Sequence, residues 1–125
     1  MLRSILVLDK VGMPPSLVCA LESELHCRVE VTRQGSYARS FLESSDVSLA
    51  VVNPYLEQGG LIESNVGFVR ILRERDIPVI IHSRVKIETI AQRTGLSLGV
   101  DYQAYLRKPT QISELIKCAS GLING

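Results

Sequence analysis

Apolar residues fall along this chain in two alternating rhythms: short unbroken runs, and stretches where they recur every three or four positions. The runs "SILVL" (Ser4 to Leu8), "VSLAVV" (Val47 to Val52) and "IPVIIH" (Ile77 to His82) read as strands buried on both faces. Pro78 fits such a strand only at its start, where no ladder donor is needed. In "CRVEVT" (Cys27 to Thr32), Cys27, Val29 and Val31 alternate with Arg28 and Glu30, the pattern of a half-buried strand near a sheet edge. "AYL" (Ala104 to Leu106), bounded by "RKP", is a short last strand.

Helical spacing fills the intervals. Leu17, Leu21 and Leu25 place an apolar stripe on a first helix opened by Ser16 or the prolines before it. Tyr37, Ala38, Phe41 and Leu42 mark a second helix after the Gly35–Ser36 turn, and Ile62, Val66, Val69 and Leu72 a third that runs to Asp76. Ile87, Ile90, Ala91 and Thr94 describe a fourth, stopped by Gly95. Thr110 is placed to cap a fifth, with Ile112, Leu115, Ile116, Ala119 and Ile123 on one side.

Strand and helix thus alternate as (βα)5 over one domain, residues 1–125. That order implies an α/β, doubly wound, five-stranded parallel sheet with right-handed crossovers and helices on both faces. In such sheets ligands and chemistry gather beyond the carboxyl ends of the strands. The residues emerging there are Asp9–Lys10, Asn53–Pro54, Ser83–Arg84 and Lys108–Pro109, which form the candidate site.

Composition narrows the function rather than the fold. A chain of 125 residues with 46% apolar and 22% charged residues is ordinary globular material. Its net charge of +1 gives no general pull toward nucleic acid or acidic lipid, and no helix-turn-helix or aromatic-basic surface stands out. No apolar run approaches the roughly 18 residues a membrane span needs. Cys19, Cys27 and Cys118 form no CxxC pair, so a reduced, cytoplasmic protein with cysteines as small core residues is expected. His82 reads as a satisfied core or rim histidine, since no His/Cys/Asp spacing suggests a metal site.

The stretches "ILVLDK", "LAVVNPYLEQGG", "IPVIIHSR" and "YLRKP" together resemble the response-regulator receiver family of two-component and phosphorelay signalling. The resemblance covers essentially the whole chain and implies a flavodoxin-like fold with strand order 2-1-3-4-5. It also implies an acidic pair after the first strand and an aspartate after the third that hold Mg²⁺. The latter aspartate accepts a phosphoryl group, a Ser/Thr and a Lys contact that group, and an aromatic residue on the fifth strand moves with the switch. Carried over position by position, Asp9 matches the first acid, Ser83 the hydroxyl, Lys108 the lysine before proline and Tyr105 the switch aromatic. Lys10 stands where the second acid belongs, and Asn53 where the phosphoacceptor aspartate belongs.

These departures strike the chemistry. The Asn53 amide is neutral and its nitrogen lone pair is delocalised, so it is no nucleophile. Pro54 has no backbone N–H to attack the amide, so spontaneous deamidation to aspartate is disfavoured. Where the family site carries about −2, Asp9 with Lys10 and Lys108 gives about +1, which weakens a Mg²⁺ site by several kcal/mol. The expectation is therefore a pseudo-receiver with no catalytic residue, no metal and no cofactor. It would act by binding a protein through the face of the fourth helix, fifth strand and fifth helix, bordered by Thr89, Gln92, Arg93, Tyr102 and Gln103. The same face could pair two copies as a homodimer. A second possibility is a small anionic ligand held in the degenerate pocket ringed by Lys10, Asn53, Ser83 and Lys108. A flavodoxin-like phosphate cradle is a poorer match, because "DKVGMPPS" has a lone glycine and two prolines.

Overall fold

The computed structural model describes residues 3–124. Five strands, β1 (Ser4–Leu8), β2 (Arg28–Thr32), β3 (Val47–Val52), β4 (Val79–Ser83) and β5 (Ala104–Arg107), form one parallel sheet in the order β2-β1-β3-β4-β5. Between and after them run α1 (Pro15–Leu25), α2 (Gly35–Ser44), α3 (Glu63–Glu74), α4 (Ile87–Thr94) and α5 (Ile112–Asn124). Fold class and strand order are those expected from the sequence.

The unbroken apolar runs are explained by the two layers that cover the sheet. Along β1, Leu6 and Leu8 point into a core with Ala38, Phe41, Val66, Leu72 and Ile90 of α2, α3 and α4. Ile5 and Val7 point the other way, against Leu17 and Leu21 of α1 and Leu115 and Ala119 of α5. β3 divides likewise, Ala50 and Val52 to one side, Leu49 and Val51 to the other. A strand with no solvent face has no polar alternate positions.

Several element ends differ from the sequence expectation. Pro14, not Ser16, occupies the N-cap position of α1, with Pro15 as the first helical residue. β2 begins at Arg28, leaving Cys27 before it, and β4 starts two residues after Ile77 and includes Ser83. Thr110 does not cap α5. Its hydroxyl donates to the Arg107 carbonyl and meets the His82 ring, while the Gln111 carbonyl accepts the first helical N–H groups of α5. Ile112 is exposed rather than part of the apolar stripe, and Cys19 is exposed rather than a core residue. Among the described residues, no helix is long and apolar enough to cross a membrane.

The order reverses between β1 and β3, so their carboxyl ends, carrying Asp9 and Asn53, diverge side by side into a crevice. The loop from Asn53 to α3 is closed tightly: Leu56 and Gly60 are bonded backbone to backbone, Tyr55 bridges Leu61, and Ile62 N–H donates to the Pro54 carbonyl. Gly59, at φ 95°, turns that loop through the left-handed region.

Candidate functional site

The topology brings Asp9, Asn53, Ser83 and Lys108 together at the crevice. Asp9 is 2% exposed, and each of its carboxylate oxygens already has protein partners. Oδ2 accepts the Lys108 ammonium at 2.7 Å. Oδ1 accepts the Val11 N–H at 2.9 Å and the Asn53 Nδ2 at 3.3 Å. The Lys108 head is thereby neutralised, with its side chain 14% exposed.

Asn53 is fixed at every polar atom. Its backbone N–H donates to Leu8, its Oδ1 accepts the Tyr55 N–H at 3.0 Å across Pro54, and its carbonyl accepts the Asn65 amide at 3.0 Å. The Tyr55 bond decides the orientation of the amide, because only the oxygen can accept it. The NH₂ group therefore faces Asp9. An aspartate could accept the same Tyr55 N–H but would bring an anion against Asp9, so the residue's distinctive contribution is one donor.

Ser83 is 1% exposed, and its hydroxyl accepts the Val85 N–H at 3.1 Å, closing a local turn at the start of the β4–α4 loop. Tyr105 is half-buried and donates its hydroxyl to the Val85 carbonyl. Burial raises the Tyr105 phenol above its usual pKa, so it stays a neutral donor at any physiological pH. Lys10 is exposed and does not line the pocket, contrary to its expected place in the ring. Between Asn53, Ser83, Leu56, Arg84 and Lys108 the free space is about 20 Å³, room for about one water.

Two participants were not anticipated from the sequence. Asn65, 1% exposed, lies in the first turns of α3 and anchors the Asn53 carbonyl. An asparagine within the stripe Ile62, Val66 and Val69 was the available signal. Tyr55 is fully buried with its hydroxyl unpartnered, among the described residues, and its phenol pKa is raised by that burial. Tyr102, expected on the exposed face, is 1% exposed instead, held inside a fold-back in which Leu98 bridges it.

A hard divalent ion does not fit this donor set. It offers the Asp9 carboxylate with both oxygens engaged, an amide whose oxygen is also engaged, a lysine ammonium bonded to Asp9, and the exposed Glu57 among the lining residues. Among the described residues no group of three or more His, Cys, Asp or Glu side chains is placed to hold a metal.

Behind Lys108, His82 is 6% exposed and its Nε2 lies 2.9 Å from the Thr110 hydroxyl. The hydroxyl proton goes to the Arg107 carbonyl, so the ring donates from Nε2. Burial first, then the Lys108 charge, lower its pKa from 6.5 to about 4, against an opposing pull from Asp9. The unfolded ring binds a proton more readily than the folded one, so this group contributes stability that is complete above pH 6.5 and is lost as pH falls toward about 4. Between pH 6 and 5 the protein is expected to lose about 1 kcal/mol more of its unfolding free energy than His82→Leu does, measured by urea titration. Equal slopes for the two proteins would show that His82 is not the titrating group.

Comparison with known proteins agrees with this geometry at the level of architecture. No family model matches the sequence, and no relative is found among curated proteins. Solved structures do match over nearly the full length. A response regulator from Thermotoga maritima superposes with a TM-score of 0.72 at 18% identity, covering 100% of both chains. The chemotaxis protein CheY4 of Vibrio cholerae gives 0.70 at 15%, covering 98% of this chain and 99% of that one. The chain has the receiver fold. A structure described as a family of redox sensors in the streptococci, evolved from two-component response regulators, shares that fold with a TM-score of 0.65 at 21% identity, over 98% of this chain and 52% of that one. Within this fold, Asn53 lies at the end of β3, Asp9 and Ser83 at the ends of its neighbours β1 and β4, and Lys108 at the end of β5 beyond β4.

Proposed function

We propose that this receiver-fold chain is a cytoplasmic pseudo-receiver, which has lost phosphoryl transfer and Mg²⁺ binding and acts by docking a protein whatever the phosphorylation state of the pathway. Receiver domains are generally signalling modules that contact partner proteins rather than enzymes, and no residue here is assigned a catalytic role. The observation that carries the reading is the closed network Lys108–Asp9–Asn53. It neutralises the buried Asp9 carboxylate internally and leaves about 20 Å³ where a phosphoryl group and its metal would have to sit.

Tyr105 supports the same reading. Its hydroxyl donates to the Val85 carbonyl in the loop after β4, and the Ser83 hydroxyl accepts the N–H of the same Val85, so the two groups that would respond to a phosphoryl group brace one residue between them. The docking face would be α4, β5 and α5, where Gln92, Arg93 and Gln103 are exposed and Thr89 is half-exposed. A streptococcal sensor lineage evolved from response regulators offers a precedent for reuse of the fold. The small-anion alternative has weaker support in this pocket, since Lys10 lies outside it and Lys108 is already paired.

Incubation with acetyl phosphate and Mg²⁺ tests the proposal. The intact mass is expected to stay unchanged, and the Gln92 and Arg93 amide resonances to stay in place. Phosphoryl incorporation at or near Asn53 would overturn it.

A further inference from the structure

A second cavity, of about 250 Å³, adjoins the Asn53 pocket across Lys108 and extends away from it, between the β1–α1 loop and the β5–α5 loop. Met13, Leu17 and Pro109 give it an apolar wall. Its charged lining groups are Arg84 and Lys108, with no acidic side chain among them. Lys108 is neutralised by Asp9, whereas Arg84 makes no ion pair among the described residues.

The helix that opens at the cavity's edge adds to its positive potential. α1 begins at its edge with neither a side-chain cap nor an acidic residue in its first turn. α5 starts two residues after Thr110, which also lines the cavity, but its first turn carries Glu114, which offsets the helix dipole there. The buried His82 ring lines it too and is held neutral in part by the Lys108 charge. An apolar wall, a buried polar side chain and a free guanidinium converging on one concavity are the ingredients of a small-ligand site. At about 250 Å³ the space is below the roughly 300–1,000 Å³ of drug-sized pockets, which restricts the occupant to a fragment-sized molecule.

We propose that this cavity binds a small organic carboxylate with an apolar body, its carboxylate paired with Arg84 and its body against Met13, Leu17 and Pro109. Neutral polar ligands would leave the guanidinium without a partner, and bare inorganic anions would leave the apolar wall wet. Occupancy would tie the β1–α1 and β5–α5 loops together beside the Asp9–Lys108 pair. The proposal does not rest on the loss of phosphoryl transfer. A chain that accepted phosphoryl groups could still bind the carboxylate, and failure to bind leaves the protein-docking reading intact.

Titration of the ¹⁵N-labelled full chain with benzoate tests it, with benzyl alcohol and inorganic phosphate as controls. Benzoate is expected to produce saturable shifts at the amides of Val11, Gly12, Met13, Leu17, His82 and Thr110. Benzyl alcohol and phosphate are each expected to bind at least about tenfold more weakly. Arg84→Gln, a change at an exposed side chain, should weaken benzoate by about fivefold or more and leave the fold intact. The proposal is overturned by an absence of saturable shifts, by equal affinity for benzyl alcohol, or by indifference to Arg84→Gln. It is also overturned if the shifts fall instead on Lys86, Tyr105 and Arg107, which line a separate open cleft.

Discussion

Lys108→Met is expected to destabilise the protein by about 3–5 kcal/mol near neutral pH, measured as a fall in the urea midpoint at constant slope. The side chains of Lys108 and Asp9 are 14% and 3% exposed, so this pair lies outside the surface regime where ion pairs contribute little. Methionine matches the lysine stem in length and removes the charge. The carboxylate would then keep only the Val11 N–H and the 3.3 Å amide of Asn53, too little to replace the ammonium and its hydration. Asp9→Asn combined with Lys108→Met replaces the charged pair by neutral groups and should recover most of the loss. A deficit below about 1 kcal/mol for Lys108→Met would mean that solvent, not Lys108, satisfies Asp9.

The same pair shows how far the sequence could be read. β1 and β3 were legible because burial on both faces leaves nearly apolar runs, Ser48 being the one polar residue inside β3, and the alternation of such runs with helical spacing determined the strand ends at which Asp9, Asn53, Ser83 and Lys108 meet. What was not legible depended on partners distant in the chain. A threonine just before a helix reads as a cap, yet the Thr110 hydroxyl is claimed by His82, 28 residues away, and by the Arg107 carbonyl. Tyr102 reads as a rim aromatic until the segment from Gly95 to Gln103 folds back on itself. There Asp101 accepts the Ser97 N–H and pairs with Arg73, and the Leu98–Tyr102 bridge draws the ring inward. Lys10 belongs to the ring expected from the sequence because it emerges with Asp9 at the end of the first strand, where the resemblance implies a second acid. The Gly12 N–H to Asp9 carbonyl bond marks a tight turn directly after β1, and Lys10 faces solvent on it.

Charge is the thread joining these details. A receiver pocket with three carboxylates repels itself unless a cation is present, so its empty form is under electrostatic tension. Here the buried Asp9 carboxylate is balanced by the Lys108 ammonium, and the Asn53 amide supplies the donor that a carboxylate at the same position would have opposed.

Reversing that state defines the second large prediction. Asn53→Asp places a carboxylate where Nδ2 now sits 3.3 Å from Asp9 Oδ1. Two unit charges at about 4 Å repel by roughly 4 kcal/mol at an effective dielectric of about 20, so the single variant should lose several kcal/mol near neutral pH. Sharing of Lys108 between the two acids would return part of this. Mg²⁺ should restore stability to Asn53→Asp and leave the native protein unaffected, a contrast visible in thermal melts with and without the ion. Adding Lys10→Asp supplies a further acid beside Asp9 and should strengthen the Mg²⁺ response. If the strand ends keep receiver geometry, the double variant should also incorporate phosphoryl groups from acetyl phosphate in a Mg²⁺-dependent manner, against a native background of none. The three supporting elements are already in place: the Tyr55 N–H on the Asn53 side-chain oxygen, the Asn65 amide on its carbonyl, and Lys108 beside Asp9. A folded double variant that neither gains stability from Mg²⁺ nor becomes labelled would show that the pocket has lost the shape as well as the charge for phosphoryl chemistry, and the receiver-derived account of this site would fall with it.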